Sequence, residues 1–196
     1  PHHPGGSTGP LHREAGRMSE ELVRLFDALE RAYSGEARGG VRSALVVAAP
    51  ETALMVSRLL ELFGEAVVTV VGEDESKIAG LQEQLSAPVE AGRVRIVQAS
   101  PADLAGHAPG PYDLILIRRP AESLGRMAQR AVFAACTQAL APDGLLVFTN
   151  DNLADAAYVD ELMQSLNMTM LPGSPYTAVP VALSGRDRYI MLYASR

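Results

Sequence analysis

Five short apolar runs, each followed by a stretch of helical periodicity, constrain this chain more than anything else in it. They cover residues 43–49 (SALVVAA), 66–71 (AVVTVV), 93–98 (RVRIVQ), 112–117 (YDLILI) and 144–149 (GLLVFT). The first of them, SALVVAA, is continuously apolar, as a strand buried on both faces should be. The segments between them, such as ETALMVSRLLELF and RMAQRAVFAACTQAL, have the spacing of amphipathic helices and the length a parallel crossover needs. The expected fold is therefore α/β, a mainly parallel sheet with helices on both faces.

Two flanking segments complete the expectation. SEELVRLFDALERAYSG places Leu22, Leu25, Phe26 and Leu29 on one helical face, with Ser19 as N-cap and Gly35 as the stop. YTAVPVALSGRDRYIMLYA reads as two strands around a Ser-Gly-Arg-Asp turn, with Pro180 marking an edge. This C-terminal antiparallel hairpin is expected to join the sheet beyond the fifth strand. Residues 1–17 are rich in Gly, Pro and His and aperiodic, and read as an unstructured tail; residues 18–196 read as a single domain.

Composition narrows the function. A formal net charge of −6 gives no general electrostatic grip on nucleic acid, so RNA finds no support in the charge. No apolar run reaches the ~18 residues of a membrane helix, and the one cysteine, Cys136, lies in an apolar helix as a packed thiol. Both features fit a cytoplasmic protein. His2 and His3 lie in the tail and His107 stands alone in a Gly/Pro loop, so no metal site is expected.

The turn after the first strand is where a nucleotide-binding α/β protein carries its glycines. Here it reads Ala48-Ala49-Pro50-Glu51-Thr52. Glycine serves such a turn because no Cβ blocks a ligand and φ can be positive. Alanine narrows the space, and proline removes a donor and fixes φ, although it also suits helix initiation. Glu51 in the first helical turn would compete with a pyrophosphate for the helix field, which argues against NAD or FAD.

The stretch RVRIVQASPADL…YDLILIRRP…ACTQALAPDGLLVFTN, with the order of elements around it, resembles a class I S-adenosylmethionine-dependent methyltransferase over nearly all of residues 40–196. Leu140-Ala141-Pro142-Asp143-Gly144 matches that family's Leu-x-Pro-Gly-Gly turn before strand five. The resemblance implies a Rossmann-like methyltransferase fold. It also implies a cofactor site around Ala48, Ala49, Glu73, Asp74 and Ser100. Against the family's Asp-x-Gly-x-Gly-x-Gly loop, however, the acid falls on Val46 and the glycines on Ala48, Pro50 and Thr52. Affinity for S-adenosylmethionine is accordingly expected to be weak or absent.

Each candidate residue has a second reading. Glu73 or Asp74 would bond ribose hydroxyls, or cap the next helix. Ser100 stands where the family often has an acid near the adenine amine; with Pro101 and Asp103 it also resembles a capping box. Arg118 and Arg119 end strand four and would clamp an anionic substrate group, or pair with an acid of the crevice such as Glu51, Glu73 or Asp74. Asn150 would touch substrate, or Asn150, Asp151 or Asn152 would cap the following helix. Two functions follow. One is a methyltransferase with an altered loop acting on a small molecule or macromolecule. The other is a non-catalytic methyltransferase-like binding or scaffold module, similar to the degenerate N-terminal half of ribosomal RNA guanine-N2 methyltransferases, with a protein partner. A receiver-like regulator is excluded, because Ala48-Ala49 and Arg118 stand where its acids belong.

Overall fold

A computed structural model describes residues 19–34, 40–174 and 187–195. The elements run α1 (Glu20–Tyr33), β1 (Ser43–Val47), α2 (Thr52–Leu62), β2 (Val67–Gly72), α3 (Glu75–Gln84) and the short α4 (Ser86–Glu90). They continue with β3 (Val94–Gln98), a 3-10 turn (Pro101–Asp103), α5 (Leu104–His107), β4 (Tyr112–Arg118), α6 (Pro120–Ser123) and α7 (Arg126–Ala139). β5 (Leu140–Asn150), α8 (Leu153–Ser165), β6 (Met168–Met170) and β7 (Tyr189–Ser195) follow. The seven strands form one sheet in the order β3-β2-β1-β4-β5-β7-β6. β1 to β5 pair in parallel, and β7 is antiparallel to both β5 and β6.

The unbroken apolar runs are explained by two cores. Successive strand residues point to opposite faces, so Ala44, Val46, Leu114, Leu116, Leu145 and Val147 pack under α1, α2 and α3. Leu45, Val47, Ile115, Ile117, Leu146 and Phe148 pack under α7 and α8. α1 begins where Ser19 accepts the Leu22 N–H at 3.4 Å, and it buries Leu22, Leu25, Phe26 and Leu29. Cys136 is fully buried in the second core, and burial pushes its thiol up to about 12, consistent with a packing role. Among the described residues no helix is long and apolar enough to cross a membrane, and no cluster of three metal-ligating side chains occurs.

Several local expectations are corrected. β5 starts at Leu140, directly after α7, so Ala141–Gly144 form a bulge inside the strand rather than a turn before it. The register against β4 jumps from Tyr112↔Leu140 to Leu114↔Leu145. A Cβ on Gly144 would lie 2.9 Å from the Tyr112 carbonyl oxygen, so the bulge needs glycine there. β7 pairs antiparallel with β5 as expected, but the strand on its other side is β6, whose three residues carry no strand signature. The first arm of the expected hairpin and Gly35 lie outside the described residues, as do residues 1–18.

Candidate functional site

The strand order reverses between β1 and β4, and in open α/β sheets ligands bind at the carboxyl ends of the strands at such a point. Two backbones are strained there. Glu51 (φ 62°) and Arg119 (φ 46°) are in the left-handed region without being glycine, at a cost of about 1–3 kcal/mol each. Glu51, not Pro50, precedes the first residue of α2, so Pro50 lies in the turn and does not open the helix. The loop has thus kept a glycine-like conformation on a residue that carries a carboxylate.

Side-chain bonds over-determine that conformation. The Arg118 guanidinium has no exposed surface, and every one of its nitrogens is occupied. Nε donates to Asp187 Oδ2 at 2.8 Å and Nη1 to the Pro50 carbonyl at 2.8 Å. Nη2 is shared among Asp187 Oδ2 at 2.6 Å, Glu51 Oε1 at 3.1 Å and Glu21 Oε2 at 3.2 Å. Ser19 donates to the same Glu51 oxygen at 3.3 Å. Asp187 is buried, and its other oxygen accepts from the Thr149 hydroxyl, which in turn accepts the Arg119 N–H at 3.0 Å. Arg119 Nε faces that oxygen at 3.6 Å. Burial opposes the Arg118 charge, but the bonds to Asp187 and Glu51 outweigh it and hold the group above its ordinary pKa.

The expected arginine–acid pair is therefore present, between Arg118 and Glu51. Of the two readings of Arg118, pairing with an acid of the crevice is the one its geometry displays, since each of its nitrogens is engaged inside the protein. Arg119 is also buried and pairs with Asp187 and Glu122, which leaves its side chain turned inward as well. Asn150 is 1% exposed and donates to Met191 Sδ at 3.2 Å, and the cap of α8 is Asn152. Asp187, Glu21 and Ser19 were missed in the sequence. Each lies far from Arg118 in the chain, and the one local signal, Ser19 as a helix N-cap, does not point to the arginine.

The remaining crevice is small. A cavity of about 180 Å³ is lined by Val47, Ala48, Gly72, Glu73, Asp74 and Lys77, together with Pro101, Ser123 and Leu124. Ligand pockets usually measure about 300–1,000 Å³. Ala48 fills part of the space, for a Cβ on Gly72 would lie 2.8 Å from its methyl. Asp74 spends its carboxylate on the N-terminus of α3, and the N–H groups of Lys77 and Ser76, with the Ser76 hydroxyl, hold it below the usual carboxylate range. Ser100 caps the 3-10 turn by accepting the Ala102 N–H at 3.2 Å, and it lies outside the cavity lining. The box is incomplete, since the Asp103 carboxylate pairs with His107 at 3.2 Å. Ala49 faces the neighbouring groove between α2 and α3.

The contact at Gly72 is testable. Gly72→Ala is expected to destabilise the protein by about 1–3 kcal/mol through overpacking, and Ala48→Gly in the same chain to recover most of the loss. Urea denaturation that finds the single variant as stable as the parent would contradict the packing account.

No protein-family model and no curated protein sequence matches the chain. Solved structures do. A methyltransferase from Pyrococcus furiosus superposes with a TM-score of 0.65 at 18% identity, over 89% of this chain and 82% of that one. The glycopeptide N-methyltransferase MtfA matches with a TM-score of 0.65 at 15% identity, over 97% and 98% of the two chains. Its complex with S-adenosylmethionine matches with a TM-score of 0.64 at 16% identity, over 88% and 94%. Together with the sheet order, these likenesses define the fold as that of the Rossmann-like, S-adenosylmethionine-dependent methyltransferases.

Proposed function

We propose that this chain is a methyltransferase-fold protein whose cofactor crevice has been given over to internal structure, and that it acts as a binding or scaffold module rather than as a methyl-transfer enzyme. The observation that carries the reading is the buried Arg118–Asp187–Glu51 cluster beneath a loop without glycine. In this reading, protein charge occupies the carboxyl ends of β1 and β4, where a nucleoside cofactor would lie. The Ala48 methyl takes the space that a bare glycine would leave. The partner is a protein or a small molecule; the acidic balance of the chain does not favour RNA.

The alternative, a methyltransferase with a rebuilt loop, draws support from Glu73 and Asp74, which still line the cavity at the end of β2. Such an enzyme would hold the ribose of S-adenosylmethionine on these acids, while the cofactor would supply an electrophilic methyl group. Methyl transfer needs mainly positioning, so the lack of an evident base does not weigh against it.

Calorimetric titration of the full chain with S-adenosylmethionine and S-adenosylhomocysteine separates the two. The expected result is no saturable binding up to about 1 mM, which corresponds to less than about 4 kcal/mol of binding free energy. Micromolar binding of either compound would overturn the proposal in favour of the enzyme.

A further inference from the structure

Beside the narrowed crevice lies a larger space that the fold does not require. A groove of about 710 Å³ runs between the β1–α2 loop with the start of α2 on one wall and α3 on the other. Its volume falls inside the usual range for small-molecule sites. Ala49, Ala53 and Leu54 face Leu81 and Leu85 across it, so its body is apolar.

Gly80 forms part of the α3 wall, in the interior of that helix. Glycine weakens a helix interior, and here no neighbour demands it, because a Cβ would meet nothing within 4 Å. The missing side chain leaves the groove open.

The charges at the rim are unequally committed. Glu51, which lines the groove, is already bonded by Arg118 and Ser19. Lys77 lines the groove; its charge helps to lower the Asp74 carboxylate, but it forms no salt bridge among the described residues. The Lys77 ammonium thus sits on a flexible stem beside an apolar floor, within reach of a further anionic partner. Ser57 and Gln84 add neutral hydrogen-bonding groups.

We infer that the α2–α3 groove is a binding site for a small amphipathic organic anion. Its flat apolar body lies over Gly80, Leu81 and Ala53, and its carboxylate or sulfonate meets Lys77. The inference does not depend on whether the neighbouring crevice holds a nucleoside.

The probe is 8-anilinonaphthalene-1-sulfonate, an aromatic monoanion, titrated into the full chain by fluorescence, with circular dichroism confirming that each variant is folded. The expected result is one saturable site. Lys77→Gln, which keeps most of the stem, should weaken binding about fivefold. Gly80→Met, which fills the floor, should remove the saturable phase without lowering the melting temperature. Failure of the parent chain to saturate, or equal binding by the parent and both variants, would overturn the inference. Loss in Gly80→Met with no change in Lys77→Gln would overturn its anionic part.

Discussion

Replacing Asp187 by alanine is expected to destabilise the protein by about 3–5 kcal/mol, because it leaves a buried guanidinium without its main partner. For a chain of this length that is a fall in melting temperature of roughly 10 °C. The cause is not lost attraction alone. Arg118 has no exposed surface, so its charge cannot turn to water when Asp187 is removed. Glu51 and Glu21 remain bonded to Nη2, which keeps the loss from being larger. The double variant Arg118→Leu/Asp187→Leu should recover most of the stability, since replacing a whole buried pair by apolar groups is often neutral or stabilising. Thermal and urea denaturation of the three chains check this. Equal stability of the parent and Asp187→Ala would show that the pair contributes nothing.

Phe148→Ala is expected to cost about 3–5 kcal/mol through the cavity it opens. The ring has no exposed surface and packs at 4.8 Å from Phe133 and at 5.9 Å, edge on, from Tyr193. Its loss separates α7 from the β5–β7 pair. The next residue in β5 is Thr149, which holds Asp187. The two substitutions are therefore close enough to couple, and their costs should not add. Denaturation midpoints of the single and double variants measure the coupling. A loss below about 1 kcal/mol for Phe148→Ala would mean that the core collapses around the gap.

The central strands β1, β4 and β5 were legible because burial on both faces writes itself into the sequence as apolar runs, whereas the edge strand β3 is only partly buried and keeps an arginine. Val46 and Val47 belong to different cores, and a strand between two helical layers has no polar side to betray its phase. The limits of the reading have the same origin. β6 is three residues long, too short to show any period, and the bulge in β5 looked like a turn because Pro142, Asp143 and Gly144 are turn residues wherever they occur. At the site, topology put Arg118 and Arg119 at one edge of the sheet with Glu51, Glu73 and Asp74, but left open which of them would pair. Asp187 did not follow, because its approach depends on how β7 enters beside β5, and a turn-like Ser-Gly-Arg-Asp says nothing about its destination. For Ser100 and Asp74 local spacing offered a cap beside the cofactor reading, and in the structure both side chains accept N–H groups of the turn or helix that follows.

The Arg118 cluster has a consequence for synthesis. Its acids lie 97 and 67 residues before the arginine and 69 residues after it. On a ribosome, Glu21 and Glu51 have already been made when Arg118 emerges, whereas Asp187 follows on the order of ten seconds later. Through that interval the nascent chain carries the arginine half-matched, and β5 lacks the strand that will cover its edge. An unpaired edge of this kind is a site for wrong associations. The arrival of β7, with Asp187 two residues ahead of it, both covers that edge and neutralises the arginine, so the two liabilities end in a single event.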